Sequence, residues 1–264
     1  MLKNTILSAG LVAAAGVLLI ASHVNASTVT FSNVNVGDPS YPLSGSIDFT
    51  FGSGTVTVTI NNTTTSTFSA SELLGGVQFT LAGSGYGTPS IETSDAGQPV
   101  YVGNEVTIAG SPKKGSTTPV DGSYTVSGSK TNSTLSNPWK ASGGGSTFSL
   151  TRSGAEDLVI GPPNKATNLY TGDGSINGNG GHNPFISQTA TFTLDISGVT
   201  TSSSLSPTAD VVVYNGTSGD YLDIPPSGAV VTGGPLPVPA TLPLVGGGIL
   251  ALGALALRKR GKFQ

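Results

Sequence analysis

Thr55-Val56-Thr57-Val58-Thr59-Ile60 and, far downstream, Thr189-Ala190-Thr191-Phe192-Thr193-Leu194-Asp195-Ile196 decide the fold. Polar and apolar residues alternate in both with the period of a strand rather than of a helix. The alternation predicts that Val56, Val58 and Ile60 face one way, as do Ala190, Phe192, Leu194 and Ile196, while Thr191, Thr193 and Asp195 face water. Antiparallel sheets with one wet face show this pattern.

Working outward, further strands are expected at Thr28–Val36, Gly45–Phe51, Gly76–Leu81, Val100–Ile108 and Ala209–Tyr214. Gly37-Asp38-Pro39, Gly52-Ser53-Gly54 and Gly83-Ser84-Gly85 supply the turns between them. No amphipathic helix of useful length appears, although Ser71-Glu72-Leu73-Leu74 suits a single turn. From Gly110 to Gly145 the composition is Ser, Gly, Lys and Thr, with Tyr124 and Val126 as the one strand seed; a long loop, a glycine-rich hairpin and an insertion all fit. Many short strands without a fixed repeat predict an all-β, antiparallel β-sandwich-like single domain over residues 27–232.

Composition narrows the function classes. Charged residues make up only 9% of the chain, hydrophobic residues 36%, and cysteine is absent, so neither disulfides nor thiolate metal sites are available. Both ends read as processing signals. Residues 1–26 place Lys3 before an apolar run, Ile6–Ile20, and end in Val24-Asn25-Ala26, whose small residues suit a signal peptidase cut after Ala26. The last thirty residues, PLPVPATLPLVGGGILALGALALRKRGKFQ (235–264), set a proline cluster before an uncharged run and a cationic end. As a helix, residues 242–257 span about 24 Å, slightly short of the roughly 30 Å hydrocarbon core but tolerable for a membrane span. The basic tail over 258–262 is expected to stay in the cytoplasm, with the long domain outside. Losing both ends removes Lys3, Arg258, Lys259, Arg260 and Lys262 from 11 basic residues, leaving 6 against 14 acidic ones and a net charge of −8. That balance disfavours nucleic acid as a partner.

The tripartite tail over 233–264 resembles the PEP-CTERM family of bacterial sorting signals. Leu236-Pro237-Val238-Pro239-Ala240 is similar to its Val-Pro-Leu-Pro-Ala variant with the first and third residues exchanged, and Arg258-Lys259-Arg260 matches the basic end. The usual Pro-Glu-Pro is missing. The resemblance implies export through the Sec machinery, removal of the leader by signal peptidase, transient anchoring in the inner membrane and cutting by an exosortase-like membrane peptidase. It also implies a Gram-negative, exopolysaccharide-producing context. A second resemblance lies at Gly181-His182-Asn183-Pro184-Phe185 with Ala190–Leu194 and Gly198-Val199, a run similar to one found beside such tails and carrying no defined activity. Here it reads as a loop entering a late strand, with Pro184 and Phe185 pinning it to the core.

Candidate chemistry is thin. His182 is the one histidine left after leader removal, and Gly-x-Ser-x-Gly does not occur, so a serine hydrolase has little to work with. A loop-organising role is expected for His182. Asp173-Gly174-Ser175-Ile176-Asn177-Gly178 imitates the start of a calcium loop, but Pro184 stands where the bidentate Glu belongs, which favours a plain turn. Glu156-Asp157, as sequence neighbours, would point to opposite faces of a strand, and Glu72, Glu92 and Glu105 read as solvated. Trp139 is expected to pack over a core edge rather than stack on a sugar. Sequons occur at Asn61, Asn62, Asn132 and Asn215. The expectation is a non-enzymatic exported surface or matrix protein without a cofactor and with exopolysaccharide as a partner. The alternatives are a carbohydrate-binding module using Tyr86, Tyr101, Trp139 or Tyr170, and, behind it, a glycan hydrolase.

Overall fold

The computed structural model describes residues 25–34, 42–110, 116–177, 181–216 and 220–225. Val24, the leader helix, Leu236, Pro237, Val238, Pro239, Ala240, the membrane span and Arg258, Lys259 and Arg260 lie outside the described residues. Among those described, no helix is long and apolar enough to cross a membrane.

In chain order the described strands begin with β1 (Ala26–Val34), β2 (Leu43–Phe51), β3 (Thr55–Asn62), β4 (Leu74–Thr80), β5 (Ser90–Ile91), β6 (Ser94–Asp95), β7 (Gln98–Pro99) and β8 (Tyr101–Ala109). They continue with β9 (Val120–Thr131), β10 (Trp139–Gly144), β11 (Thr147–Arg152), β12 (Val159–Ile160), β13 (Tyr170–Gly172), β14 (Phe185–Ser187), β15 (Thr189–Asp195), β16 (Val211–Asn215) and β17 (Asp220–Ile224).

One sheet runs β1-β2-β3-β15-β5. The two stretches that open the sequence are direct neighbours in it, antiparallel from Thr55↔Asp195 to Asn61↔Thr189. Their apolar residues are buried as the alternation predicts, and Asp195 is exposed. On the other face Thr59 and Thr191 share a hydroxyl hydrogen bond of 3.2 Å, and Asn61 donates to Ser46 and Asp48. Cross-strand polar pairs of this kind knit a wet sheet face.

The second sheet is built around β4, with β11 and β12 on one edge and β16-β17 on the other. Its apolar face meets the first sheet ring to ring. Phe49 of β2 lies 5.0 Å from Phe79 of β4, and Trp139 of β10 lies 4.8 Å from Phe192 of β15. One continuous core containing both sets of residues defines an all-β, sandwich-like body. Asn62 ties the layers beside it: its Nδ2 donates to the Glu72 and Val159 carbonyls at 2.8 and 2.9 Å, and its Oδ1 accepts from the Thr64 N–H.

The same sheet continues through β12 and β14 into β8, β9 and β13. The stretch from Gly110 to Gly145 therefore resolves into strands β9 and β10, with residues 111–115 outside the description. The glycine-rich hairpin is the reading that fits, since β8 and β9 pair antiparallel from Tyr101↔Thr131 to Ala109↔Ser123. Where the pairing steps from Val126 to Gly128 there is a bulge, and Gly128 takes a positive φ of 88° that few other residues adopt cheaply. A smaller core of Leu73, Val106, Ile108, Leu158, Ile160, Tyr170, Ile176 and Phe185 fills the space beneath this extension. The expected turn at Ser71 is a short 3-10 segment, Ala70–Glu72, closed by a capping box between Ser69 and Glu72.

Candidate functional site

The loop between β11 and β12 gathers the titratable groups that the sequence scatters. Asp157 sits there with a positive φ of 59°, fully buried, so Glu156 and Asp157 are turn residues and not opposite faces of a strand. Its Oδ2 accepts from the Asn137 N–H at 2.7 Å, its carbonyl accepts from the Trp139 indole N–H at 3.1 Å, and its own N–H donates to the Pro184 carbonyl. Its Oδ1 has no partner. Burial, opposed by the Asn137 N–H and reinforced by Glu105 and Glu156, pushes its carboxyl up to about 6.

The solvated reading of the glutamates needs correction at two positions. Glu72 and Glu105 are both buried. Glu72 accepts from the Phe68 and Ser69 N–H groups, and Glu105 forms an ion pair of 3.4 Å with Lys130. Alternation hid them because a capping carboxylate and a carboxylate on a β8 bulge are both placed by backbone irregularity, which a period-two pattern does not register. Glu92 is raised by desolvation first and then by Asp195 and Asp95.

The Gly181–Phe185 run is organised by Asn183. Its Oδ1 accepts from the Ile108 N–H, and its Nδ2 donates to the Ile108 and Ile176 carbonyls. Phe185 is buried, as expected of the pinning residue. His182 does less of the work assigned to it: its Nδ1 is buried without a partner. Burial lowers its pKa, with the Ala155 backbone pulling the other way and Arg152 adding to the fall.

The calcium-like loop folds on itself. Asp173 Oδ1 accepts from the Ser175 N–H and hydroxyl, and Ser175 Oγ also accepts from the Ala70 N–H. Asn177 is buried and turned inward, its Nδ2 donating to the carbonyls of Val120, Tyr170 and Gly172. The oxygens at the first, third and fifth positions do not converge on one point.

Trp139 is buried, as expected, and so is Tyr170, whose hydroxyl donates to the Gly161 carbonyl at 2.9 Å. Tyr86 is half-buried with its hydroxyl on the Ala82 carbonyl, which leaves Tyr101, 56% exposed, as the open member of the proposed sugar-stacking set. Among the sequons, Asn62 and Asn215 are buried with their Nδ2 atoms donating to backbone carbonyls. Ala26, the residue expected before the leader cut, is the first of β1 and pairs with Thr50. Asn25 just before it bonds to the Phe51 N–H, the Thr201 carbonyl and the Ser203 carbonyl.

At the far end of β11 the surface opens into a pocket of about 230 Å³. Gly75, Arg152, Ser153, Tyr214, Asn215 and Gly216 contribute to its wall. Arg152 Nη2 donates to the Gly216 carbonyl at 2.9 Å, while its Nε is buried and unpaired. Asn215 Nδ2 donates to the Ser71 carbonyl at 2.8 Å, and its Oδ1 is buried and unpaired. Sequence reasoning missed this place altogether. Its one cue was Arg152, the sole arginine between the two terminal signals, ending a strand that alternation did not mark.

Comparisons with protein families, with curated proteins and with solved structures find no match to this chain.

Proposed function

We propose that this chain is an exported, non-enzymatic cell-surface or matrix protein, sorted by its two ends and carrying an all-β body between them. The leader delivers it to the export machinery and signal peptidase. The Leu236–Ala240 and Arg258–Arg260 elements hold it at the inner membrane until an exosortase-like peptidase cuts near the prolines. The mature body then serves at the cell surface or in an exopolysaccharide matrix.

The observation that carries this reading is the bracketing. A charge-poor body whose described strands run from Ala26 to Ile224 lies between a leader-like segment and a proline, apolar and cationic tail. The body suits a life outside the cell in two further respects. It is held by two buried cores rather than by disulfides, and after leader removal it contains neither Cys nor Met to oxidise. The pocket beside Arg152 has no carboxylate and no imidazole among its lining residues, which favours binding over hydrolysis there. Recognition by a row of sheet-face aromatics is disfavoured by the burial of Trp139 and Tyr170.

Intact mass and terminal sequencing of the protein recovered from cells and from medium test the proposal. The expected product begins at Ser27 and ends near Ala240. Full-length polypeptide in the soluble cytosolic fraction would overturn it.

A further inference from the structure

We infer that the pocket at the end of β11 is a binding site for a hydroxylated carboxylate, the chemistry of one uronate unit of an acidic polysaccharide. Three observations converge. The first is a guanidinium without a counter-ion. Arg152 is half-buried, makes its one hydrogen bond to the neutral Gly216 carbonyl and forms no ion pair among the described residues. Glu156 is near enough to act on it through space without touching it. A cation taken partly out of water favours an anion that restores charge-assisted N–H···O bonds, and a carboxylate matches the planar fork of Arg.

The second is an acceptor with nothing to accept. Asn215 is 1% exposed, and while its Nδ2 is used by the Ser71 carbonyl, its Oδ1 has no donor. Buried polar atoms are seldom left so. A carboxylate cannot satisfy an amide oxygen, but a hydroxyl can, so a ligand that satisfies both groups must carry an O–H beside its carboxylate. The hydroxyl-bearing Thr151, Ser153 and Tyr214 extend the same demand around the rim.

The third is shape. Glycines at 75 and 216 form part of the wall, and a Cβ on Gly75 would come within 3.1 Å of Arg152 Nε and 2.9 Å of the Leu158 side chain. The pocket at about 230 Å³ is smaller than the roughly 300–1,000 Å³ of sites for drug-sized ligands, which suits a single small polar unit. The binding chemistry stands on the pocket alone; its assignment to a polysaccharide rests on the proposed life of the protein in an exopolysaccharide matrix.

Isothermal titration of the full chain, purified in mild detergent, separates the sources. The probes are glucuronate, a short oligogalacturonate, glucose and acetate. Saturable binding of glucuronate, with glucose and acetate each about tenfold weaker or worse, is the expected result, since each lacks one of the two matched groups. Oligogalacturonate binding at least as well as the monomer assigns the site to a polymer. Monomer binding without oligomer binding overturns the polysaccharide assignment and leaves a free hydroxy acid.

Ser153→Glu places a carboxylate at the exposed rim beside Arg152 and is expected to weaken glucuronate binding about tenfold or more while unfolding stays unchanged. Arg152→Gln is expected to do the same. Acetate binding as well as glucuronate, no saturable binding of any probe, or Ser153→Glu binding like the unaltered chain would each refute the inference. Recovery of a correctly processed surface protein that binds none of the probes would sink this inference and spare the proposed function, while binding by a protein confined to the cytosol would do the reverse.

Discussion

Replacing Asp157 by Asn is expected to stabilise the protein at neutral pH and to leave it almost unchanged in acid. The carboxyl is fully buried, has one unpaired oxygen and is raised from its ordinary 3.8 to about 6. A raised acid means that the folded chain takes up the proton before the unfolded chain does. The cost of ionising it is therefore absent below pH 3.8, complete above about pH 6, and rises through the interval between. At about 1.4 kcal/mol per pH unit this interval corresponds to a cost of about 3 kcal/mol at pH 7. Asn keeps an oxygen for the Asn137 N–H, carries no charge and tolerates the positive φ of 59° better than most residues. Urea unfolding followed by the emission of Trp139, the only tryptophan, reads this directly, since its indole N–H rests on the Asp157 carbonyl. His182 moves the opposite way. Burial lowers its pKa, so the stability it contributes is present above its ordinary 6.5 and is lost as pH falls through the lowered value. Taking the difference between variant and parent at each pH cancels that contribution. A variant equally destabilised at pH 4 and pH 7.5, or parallel pH profiles for the two chains, would refute the reasoning.

Two further outcomes are expected. Asn62→Ala leaves the Glu72 and Val159 carbonyls and the Thr64 N–H without their partner in a dry site, which at about 1–3 kcal/mol for a buried orphan group should cost at least about 2 kcal/mol. A loss below about 0.5 kcal/mol in urea unfolding would mean that water or a neighbour replaces it. Substituting Arg258, Lys259 and Arg260 together with Glu is expected to disturb the orientation of the tail in the membrane. Protease accessibility of the body in spheroplasts measures this, and an unchanged orientation counts against the tail's assigned role.

The strands that set the first sheet were legible because each has one dry face, so alternation in Thr55–Ile60 and Thr189–Ile196 translates straight into burial. Strand β9 was nearly invisible for the opposite reason. Val126 is exposed and most of its neighbours are at least partly wet, so backbone pairing with β8, and not side-chain burial, holds it in place. Asp157 and Glu105 were misread because polarity along the chain says nothing about which turns and bulges are folded under another layer. The Arg152 pocket was out of reach for a similar reason, since β11 and β16 meet β4 only through long-range pairing. Asn177 and Asn183 were legible as turn residues, but their grip on carbonyls of distant strands was not.

The order of the strands also governs when the molecule can become a solid object. Thr59 finds Thr191 only across 132 residues, and Gln78 meets Tyr214 across 136. A polypeptide appearing amino end first can zip β1 to β3 at once, yet must keep the free rims of β3 and β4 open until nearly everything else has arrived. Such remote pairing makes for slow maturation, in which loop closure precedes reward. The consequence is a long interval in which the chain stays threadable, a virtue for a passenger that has to pass through a narrow translocation pore, and in which its bare rims need shelter from sister molecules.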